Sequence, residues 1–439
     1  RWNRARERPT RAHLMTWTWW RSALQVGICV PAVWGATAAQ AQNAGVVPPL
    51  MTDPRVRAAL AHAKASEPET IEDQIRVCET PAPPFQEGAR AELLRRSFAS
   101  LGLRNVRIDR AGNVLGDRPG TAARPRLVVA AHLDTVFPEG TPVSVTREPN
   151  GRLRGPGISD NCRGLAVLVG VIRALRAGAV ATPGPVTFVA NVGEEGLGDL
   201  RGMKVLFGET MKGQIDRFVS IDGGGLYVTH VGVGSHRYRV TFKGPGGHSF
   251  GSFGIPNPAN ALGRAVARIA DIQVPATPHT TFNVGRIGGG TSVNAIPAEV
   301  WMEIDLRSSD EAQLSALDAK VRMAIDTAVA DENRRWRATS RVTATRELVG
   351  DRPGGALPPG SPILQTVQAV GRALLGYSVP LSAGSSDANL PLSLNIPAVT
   401  IGGGGEGSDG HAVTESWTPG ESWKGTQNAV LVTVALAQP

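Results

Sequence analysis

The 439-residue chain has three cysteines, three tyrosines and few aromatic residues of any kind, 5% in all. Three cysteines cannot make a disulfide framework, so ordinary apolar packing has to hold the fold. Beyond residue 41 no apolar run is long enough to cross a bilayer, and no dense Lys/Arg block interleaves with aromatics. These absences argue against a membrane-spanning or nucleic-acid-binding protein, although the formal charge is +8. Arg accounts for 40 of the 46 basic residues, and the first 41 residues, with six Arg and one Glu, carry +5 of that charge. The rest of the chain is nearly neutral at +3. Neither an internal repeat nor a long low-complexity tract is present.

The N-terminal charge has its own explanation. Arg-rich residues 1–22 precede an apolar stretch from Ala23 to Ala39, interrupted by Gly27, Pro31 and Gly35, that ends in Ala39–Gln40–Ala41. A basic segment, a short apolar segment and a small-x-small site describe a secretory signal peptide. The expected mature chain starts near Gln42 and is exported to the periplasm or outside the cell. Cys29 lies inside the apolar stretch without a lipobox before it. Only Cys78 and Cys162 remain after cleavage, and sequence does not say whether they meet.

Hydrophobic patterning divides the mature chain. "RLVVAAHLD" (126–134), "GPVTFVANVGEE" (184–195) and "RFVSIDGGG" (217–225) are continuous apolar runs of the kind buried on both faces of a parallel sheet. Residues 163–178 have helical length and end at Gly178. Helix and strand signals of the same kind return over 362–376 and 396–405. Between them the order changes: strand 236–244, helix 257–272, strands 281–289 and 299–308, helix 310–332 and strand 339–348. That order is β-α-β-β-α-β, a ferredoxin-like split-βαβ module. The expected class is therefore α/β with a mostly parallel sheet, interrupted by an inserted α+β domain. The expected boundaries are 1–41 for the signal segment, 42–229 and 350–439 for the two parts of the larger domain, and 230–349 for the insertion.

Polar residues collect where the expected buried strands end. His132 and Asp134 follow "LVVAA", Glu194 and Glu195 follow "VTFVANVG", Asp222 follows "FVSI", and His411 follows "PAVTIGGGGEGSDG". Asp160 stands just before a helix. Open α/β sheets bind ligands at this edge. Two His and three carboxylates without thiolates suit Zn²⁺, with Co²⁺ or Mn²⁺ as substitutes. Five ligands exceed the usual complement of one catalytic zinc and fit two cations sharing a carboxylate. His132 binds and Asp134, on the same face, accepts its second ring N–H and orients it. Of the adjacent pair Glu194–Glu195, one ligates and the other serves as general base; spacing does not assign the roles. The glycine run 402–405 is not a phosphate loop, because no Lys-Ser/Thr follows it; its expected job is close backbone approach to the site.

"HLDTV", "SDNCRGLAVL", "GEEG", "SIDGGG", "GPGGHS", "GGTSVNAIP", "DLRS" and "GSSDAN…GGGGEGSDGHAVTESW" together resemble the M20 metallopeptidase family, with its carboxypeptidase G2-like enzymes, tripeptidases, acetylornithine deacetylases and aminoacylases. The resemblance implies one zinc at His132, Asp160 and Asp222, and a second at Asp160, Glu195 and His411, two per subunit. It implies Glu194 as general base, Asp134 as the orienting residue, and His248 as oxyanion stabiliser, often from across a dimer. Asn294 and Arg307 resemble substrate-binding positions, and residues 230–349 a lid and homodimerisation domain. The implied activity is hydrolysis of C–N amide bonds of short peptides by metal-activated water, with an N-acyl amino-acid amidohydrolase as alternative and a non-catalytic metal-stabilised binding protein as a further one. Many family members carry Lys where Cys162 stands; it reads as a small packed residue, a soft competing ligand or a redox-sensitive neighbour. His13, His62, His230, His236 and His279 have no comparable partners in the sequence.

Overall fold

The computed structural model describes residues 45–439. The expected signal segment, residues 1–41, lies outside them. A nine-stranded sheet forms the larger body. Its strands include β1 (Arg104–Ile108), β2 (Val114–Arg118), β3 (Leu127–His132), β4 (Val186–Asn191), β5 (Arg217–Ile221) and β6 (Val228–Gly232). After a second unit, described below, the chain returns with β11 (Leu381–Gly384) and β12 (Ala398–Ile401).

Strands β4, β3, β5 and β12 run parallel and side by side in that order, and all but one of their residues are buried. Val, Leu, Ile, Phe and Ala dominate these strands, with single buried Thr187, Ser220 and Thr400 and no polar alternation, which is what a sheet covered on both faces requires. Antiparallel strands flank these four, β2 and then β1 on one side and β6 on the other, and β11 pairs with β6 in parallel. Helix α1 (Pro54–Ala65), α2 (Glu67–Cys78), α4 (Cys162–Ala177) and α7 (Trp423–Leu436) pack together over one face; α3 (Gly88–Ser100) lies against β1 and β2. Asn161 starts α4, its side chain accepting the Gly164 N–H at 3.0 Å. Among the described residues no helix is long and apolar enough to cross a membrane.

The second unit runs β7 (Gly234–Lys243), α5 (Pro258–Ala270), β8 (Thr280–Gly289), β9 (Glu299–Ser308), α6 (Glu311–Arg335) and β10 (Thr343–Arg352). Its antiparallel sheet has the order β8-β9-β7-β10. Val300, Met302, Ile304 and Leu306 alternate inward along β9 and meet Ala261 and Leu317 in a core of its own. The chain enters this unit at Val233 and not at residue 230, because Val228–Gly232 pairs with β12 and β11 in the first sheet. The last strand lies later than the 339–348 read from sequence. Helix α6 runs on to Arg335, and the segment after it is pinned by Asn333, which exchanges two hydrogen bonds with the backbone of Val342. Strand β10 therefore ends on Arg352.

Candidate active site

Parallel strands place their carboxyl ends along one edge, and each delivers an acid or a histidine there. His132 ends β3, Asp222 follows β5, and Glu194 and Glu195 follow β4. Asp160 precedes α4, and His411 lies on the long loop after β12, with its backbone in the left-handed region at φ 67°. Glycine makes the start of that loop possible. A Cβ on Gly405 would sit 2.4 Å from the Trp417 ring, and one on Gly402 2.4 Å from the Gly225 carbonyl. The run thus approaches Gly225 and Trp417, which hold the loop in place.

The structure brings the five expected ligands together around one carboxylate. Asp160 Oδ1 lies 3.1 Å from His132 Nε2, and Asp160 Oδ2 lies 3.2 Å from His411 Nε2. Asp222 Oδ1 is 3.6 Å from His132 Nε2, and Glu195 Oε1 is 3.0 Å from His411 Nε2. Donor atoms of His132, Asp160 and Glu195 fall within 4.8 Å of one another. A cleft of about 710 Å³ opens beside them, lined by Asp160, Asp222, Tyr227, Glu406, Asp409 and Glu415 among others, with no Lys or Arg.

The charge balance at this edge fits a site for cations. Asp134, Asp387 and Glu415 are fully buried, Glu194 and Glu195 nearly so, and Asp160 and Asp222 partly. Hydrogen bonds from His132 and His411 hold Asp160 well below the usual carboxylate range against the burial that would raise it. The same contacts work in reverse on His411: hydrogen bonds to Asp160 and Glu195 push its imidazole up to about 10. Burial, with the nearby charges of Asp222 and Asp134, raises Asp387 to about 7 despite the charge of His132 and a hydrogen bond from Asn191. So many carboxylates next to two imidazoles constitute a hard, anionic donor set, the chemistry that Zn²⁺, Co²⁺ or Mn²⁺ accepts.

Asp134 acts differently from the sequence expectation. The His132 Nδ1 contact at 3.1 Å is to the backbone carbonyl of Asp134, and the carboxylate is 3.7 Å away. That carboxylate instead accepts the backbone N–H groups of Glu194 and Glu195 at 3.0 and 2.8 Å. Because Asp134 lies just past the strand end, its main chain reaches the imidazole while its side chain reaches the next loop. Burial pushes the Glu194 carboxyl well above the usual range, and the guanidinium of Arg352 opposes this.

His248, Asn294 and Arg307 do not join the cluster within this chain. His248 is exposed and its Nδ1 accepts from the amides of Phe250 and Gly251. The exposed Asn294 accepts from Ser292 Oγ, and Arg307 pairs with Asp305 at 2.6 Å. Cys162 is completely buried in the apolar core, as is Cys78, and both are free thiols. Cys162 is thus a packed residue with no place among the donors.

Two further residues shape the site and were not singled out from sequence. Glu415 accepts the amides of Gly157, Ser159 and Asp160, each at 2.9 Å, and so fixes the loop that presents Asp160. It lies four residues after His411 in "HAVTE", a motif that marks the place but not the role. Arg352 touches Glu194, yet in "GDRPGG" it carries no sequence signal.

The model of Peptidase family M20/M25/M40 matches residues 128–434. An uncharacterized protein, YqjE, from Bacillus subtilis is 25% identical over 358 residues, covering 78% of this chain and 91% of that protein. Succinyl-diaminopimelate desuccinylase of Acidovorax ebreus is 26% identical over 348 residues, covering 71% and 84%. Among solved structures, a tripeptidase from Staphylococcus aureus superposes with a TM-score of 0.70 at 22% identity, covering 84% of this chain and 98% of that one. A dinuclear metal-binding M20 peptidase of Bacillus subtilis superposes with a TM-score of 0.62 at 17% identity, covering 84% and 98%. The chain belongs to peptidase family M20/M25/M40, and it is a hydrolase of peptide or amide bonds.

Proposed function

We propose that the protein is a two-zinc hydrolase that cleaves the C–N amide bond of short peptides. The observation that carries this reading is the placement of Asp160, whose two oxygens each face a different imidazole with a different second acid behind it. His132, Asp160 and Asp222 would hold one ion, and Asp160, Glu195 and His411 the other. Bound there, two divalent cations supply Lewis acidity to the scissile carbonyl and acidify water.

The chain's own residues do the rest. Glu194 takes the proton from water on Oε2, since Arg352 holds Oε1 at 3.0 Å. Oxygen bonds to the carbonyl carbon, the C–N bond breaks, and Glu194 returns the proton to the departing nitrogen. His248 donates to the developing oxyanion. Its exposure and its separation from the cluster favour delivery from a second copy, in a homodimer made through the inserted unit. Asn294 moves with it, because its carbonyl accepts the Ser249 amide at 2.9 Å. Arg307 binds the substrate's carboxylate or carbonyl.

The cleft lining, acidic and without a basic side chain, favours a peptide with a free amino end. The second reading, an N-acyl amino-acid amidohydrolase, draws on the likeness to succinyl-diaminopimelate desuccinylases. The N-terminal segment supports export to the periplasm or beyond, with no nucleic-acid or membrane partner afterwards.

Product analysis by mass spectrometry tests both readings. Residues 42–439, loaded with Zn²⁺, are given di- and tripeptides with free or blocked termini and N-acetyl and N-succinyl amino acids, with and without chelator. Chelator-sensitive cleavage of amino-free peptides is expected. Cleavage of acyl amino acids alone replaces the peptidase reading with the second, and cleavage of neither removes both.

A further inference from the structure

We propose that Arg352 is a positioning residue for Glu194, and that through it the orientation of the inserted unit sets the place of the base. This rests on the reading of Glu194 as base. Arg352 is the last residue of β10 and is almost fully buried. Its Nη1 donates to Glu194 Oε1 at 3.0 Å and to Ser385 Oγ at 3.2 Å, and its Nη2 donates to the backbone carbonyl of Glu194. One planar fork therefore grips the main chain and the side chain of the same residue. A guanidinium does this where the compact charge of a lysine does not.

The junction around it is built the same way. The Asp351 amide donates to Asp199 Oδ1 at 2.8 Å, and Lys204 Nζ donates to the Asp351 carbonyl at 3.0 Å. Arg237, which faces Gly350 across the ladder of β7 and β10, donates to the Gly196 carbonyl at 2.5 Å and to Asp305 at 2.9 Å. The β10 and β7 ends of the inserted unit thus hold residues 194–204 at four points, and only Arg352 reaches the reacting carboxylate. A swing of the unit pulls on that segment, and Glu194 moves with it. A buried pair of this kind is weak evidence for stability but a good device for fixing a geometry, and a 1 Å misplacement of a reacting group costs about 10²-fold in rate.

The test compares R352M and R352K with wild type as full mature chains loaded with Zn²⁺. Metal content, melting temperature and steady-state kinetics are read on the peptide that wild type cleaves best. The expected result for R352M is a kcat lower by about 10²-fold with KM within about threefold and metal content unchanged. R352K recovers part of the rate, and added guanidinium ion raises the rate of R352M. A crystal structure of R352M reads the same point without turnover, with the Glu194 carboxylate displaced from its wild-type place. A folded, metal-loaded R352M whose kcat stays within about threefold of wild type overturns the proposal, as does a Glu194 carboxylate left in place. Should R352M fail to fold, R352K decides, since it keeps the charge without the fork: unchanged kcat overturns the proposal. Wild type that cleaves no amide overturns the hydrolase reading instead, and the crystal structure then judges the position of Glu194 alone.

Discussion

The carboxylate of Asp134 accepts the Glu195 amide at 2.8 Å and the Glu194 amide at 3.0 Å, both in a fully buried setting. One acid thereby holds the turn that presents two others, while its own carbonyl steadies the His132 ring. Replacing it by Asn turns an amide NH₂ towards one of those N–H groups. D134N is expected to lose about 10- to 100-fold in activity or metal affinity, measured as kcat/KM alongside metal content. Wild-type values for both would show that the clamp is dispensable.

Glu194 touches no imidazole of the cluster, whereas Glu195 lies 3.0 Å from His411. The two neighbours are therefore separable by experiment. E194Q is expected to keep its metal and lose about 10²- to 10⁴-fold in kcat, the usual worth of a proton-transfer group. E195Q is expected to lose metal first. Metal analysis of both variants checks the assignment, and the reverse pattern would exchange the roles.

Chelation should destabilise the larger body as well as stop turnover. Asp160, Asp222 and Glu195 converge from segments far apart in sequence, and a cation bound only by the folded state adds stability by mass action. The melting temperature is expected to fall with chelator and to recover on titration with two equivalents of Zn²⁺. A melting temperature blind to chelator would speak against a tightly held ion.

Acid should loosen the inserted unit before its core is touched. Burial would raise the Glu332 carboxyl, but bonds from Trp336 Nε1, the Asn257 amide and Arg264 hold it below the usual carboxylate range. The unfolded chain then binds the proton more readily than the folded one. The stabilisation is complete above the unfolded value and is lost as pH falls through the lower folded value. E332Q is expected to cost about 1–3 kcal/mol at neutral pH by leaving buried donors short of a partner. It should also flatten the acid limb of a urea-denaturation series.

How much of this was legible beforehand follows from what each signal is made of. Apolar runs and their spacing gave β3, β4, β5 and β12 to within a few residues, because strands buried on both faces are mostly apolar and lack polar alternation. The candidate ligand residues stand directly at those strand ends or in short motifs, so His132, Asp160, Asp222 and His411 were visible one by one, and Glu195 only as one of the pair Glu194–Glu195. The roles of Asp134, Glu415 and Arg352 were not. Asp134 divides its work between carbonyl and carboxylate, which depends on the strand's exact end and not on residue type. Glu415 acts on backbone amides, which leave no trace in the sequence. Arg352 meets Glu194 because β10 runs to residue 352, after a helix that ends three residues later than its pattern.

Strand β12 lies between β5 and β6 in the sheet, yet the chain makes it more than 160 residues after either of them is complete. During synthesis the larger body therefore waits with a slot open in its sheet while the whole inserted unit emerges and closes its own core. Strand β12, His411 and Glu415 arrive only after it. Until they do, Asp160 has neither its second imidazole nor the carboxylate that holds its loop, and its acid neighbours face one another with a single histidine among them. A ribosome-bound or truncated chain thus carries an unfinished sheet and an unbalanced charge cluster at the same edge. A single stretch, residues 398–415, supplies the strand and the second imidazole together, so the sheet and the candidate donor set are completed from the same part of the chain.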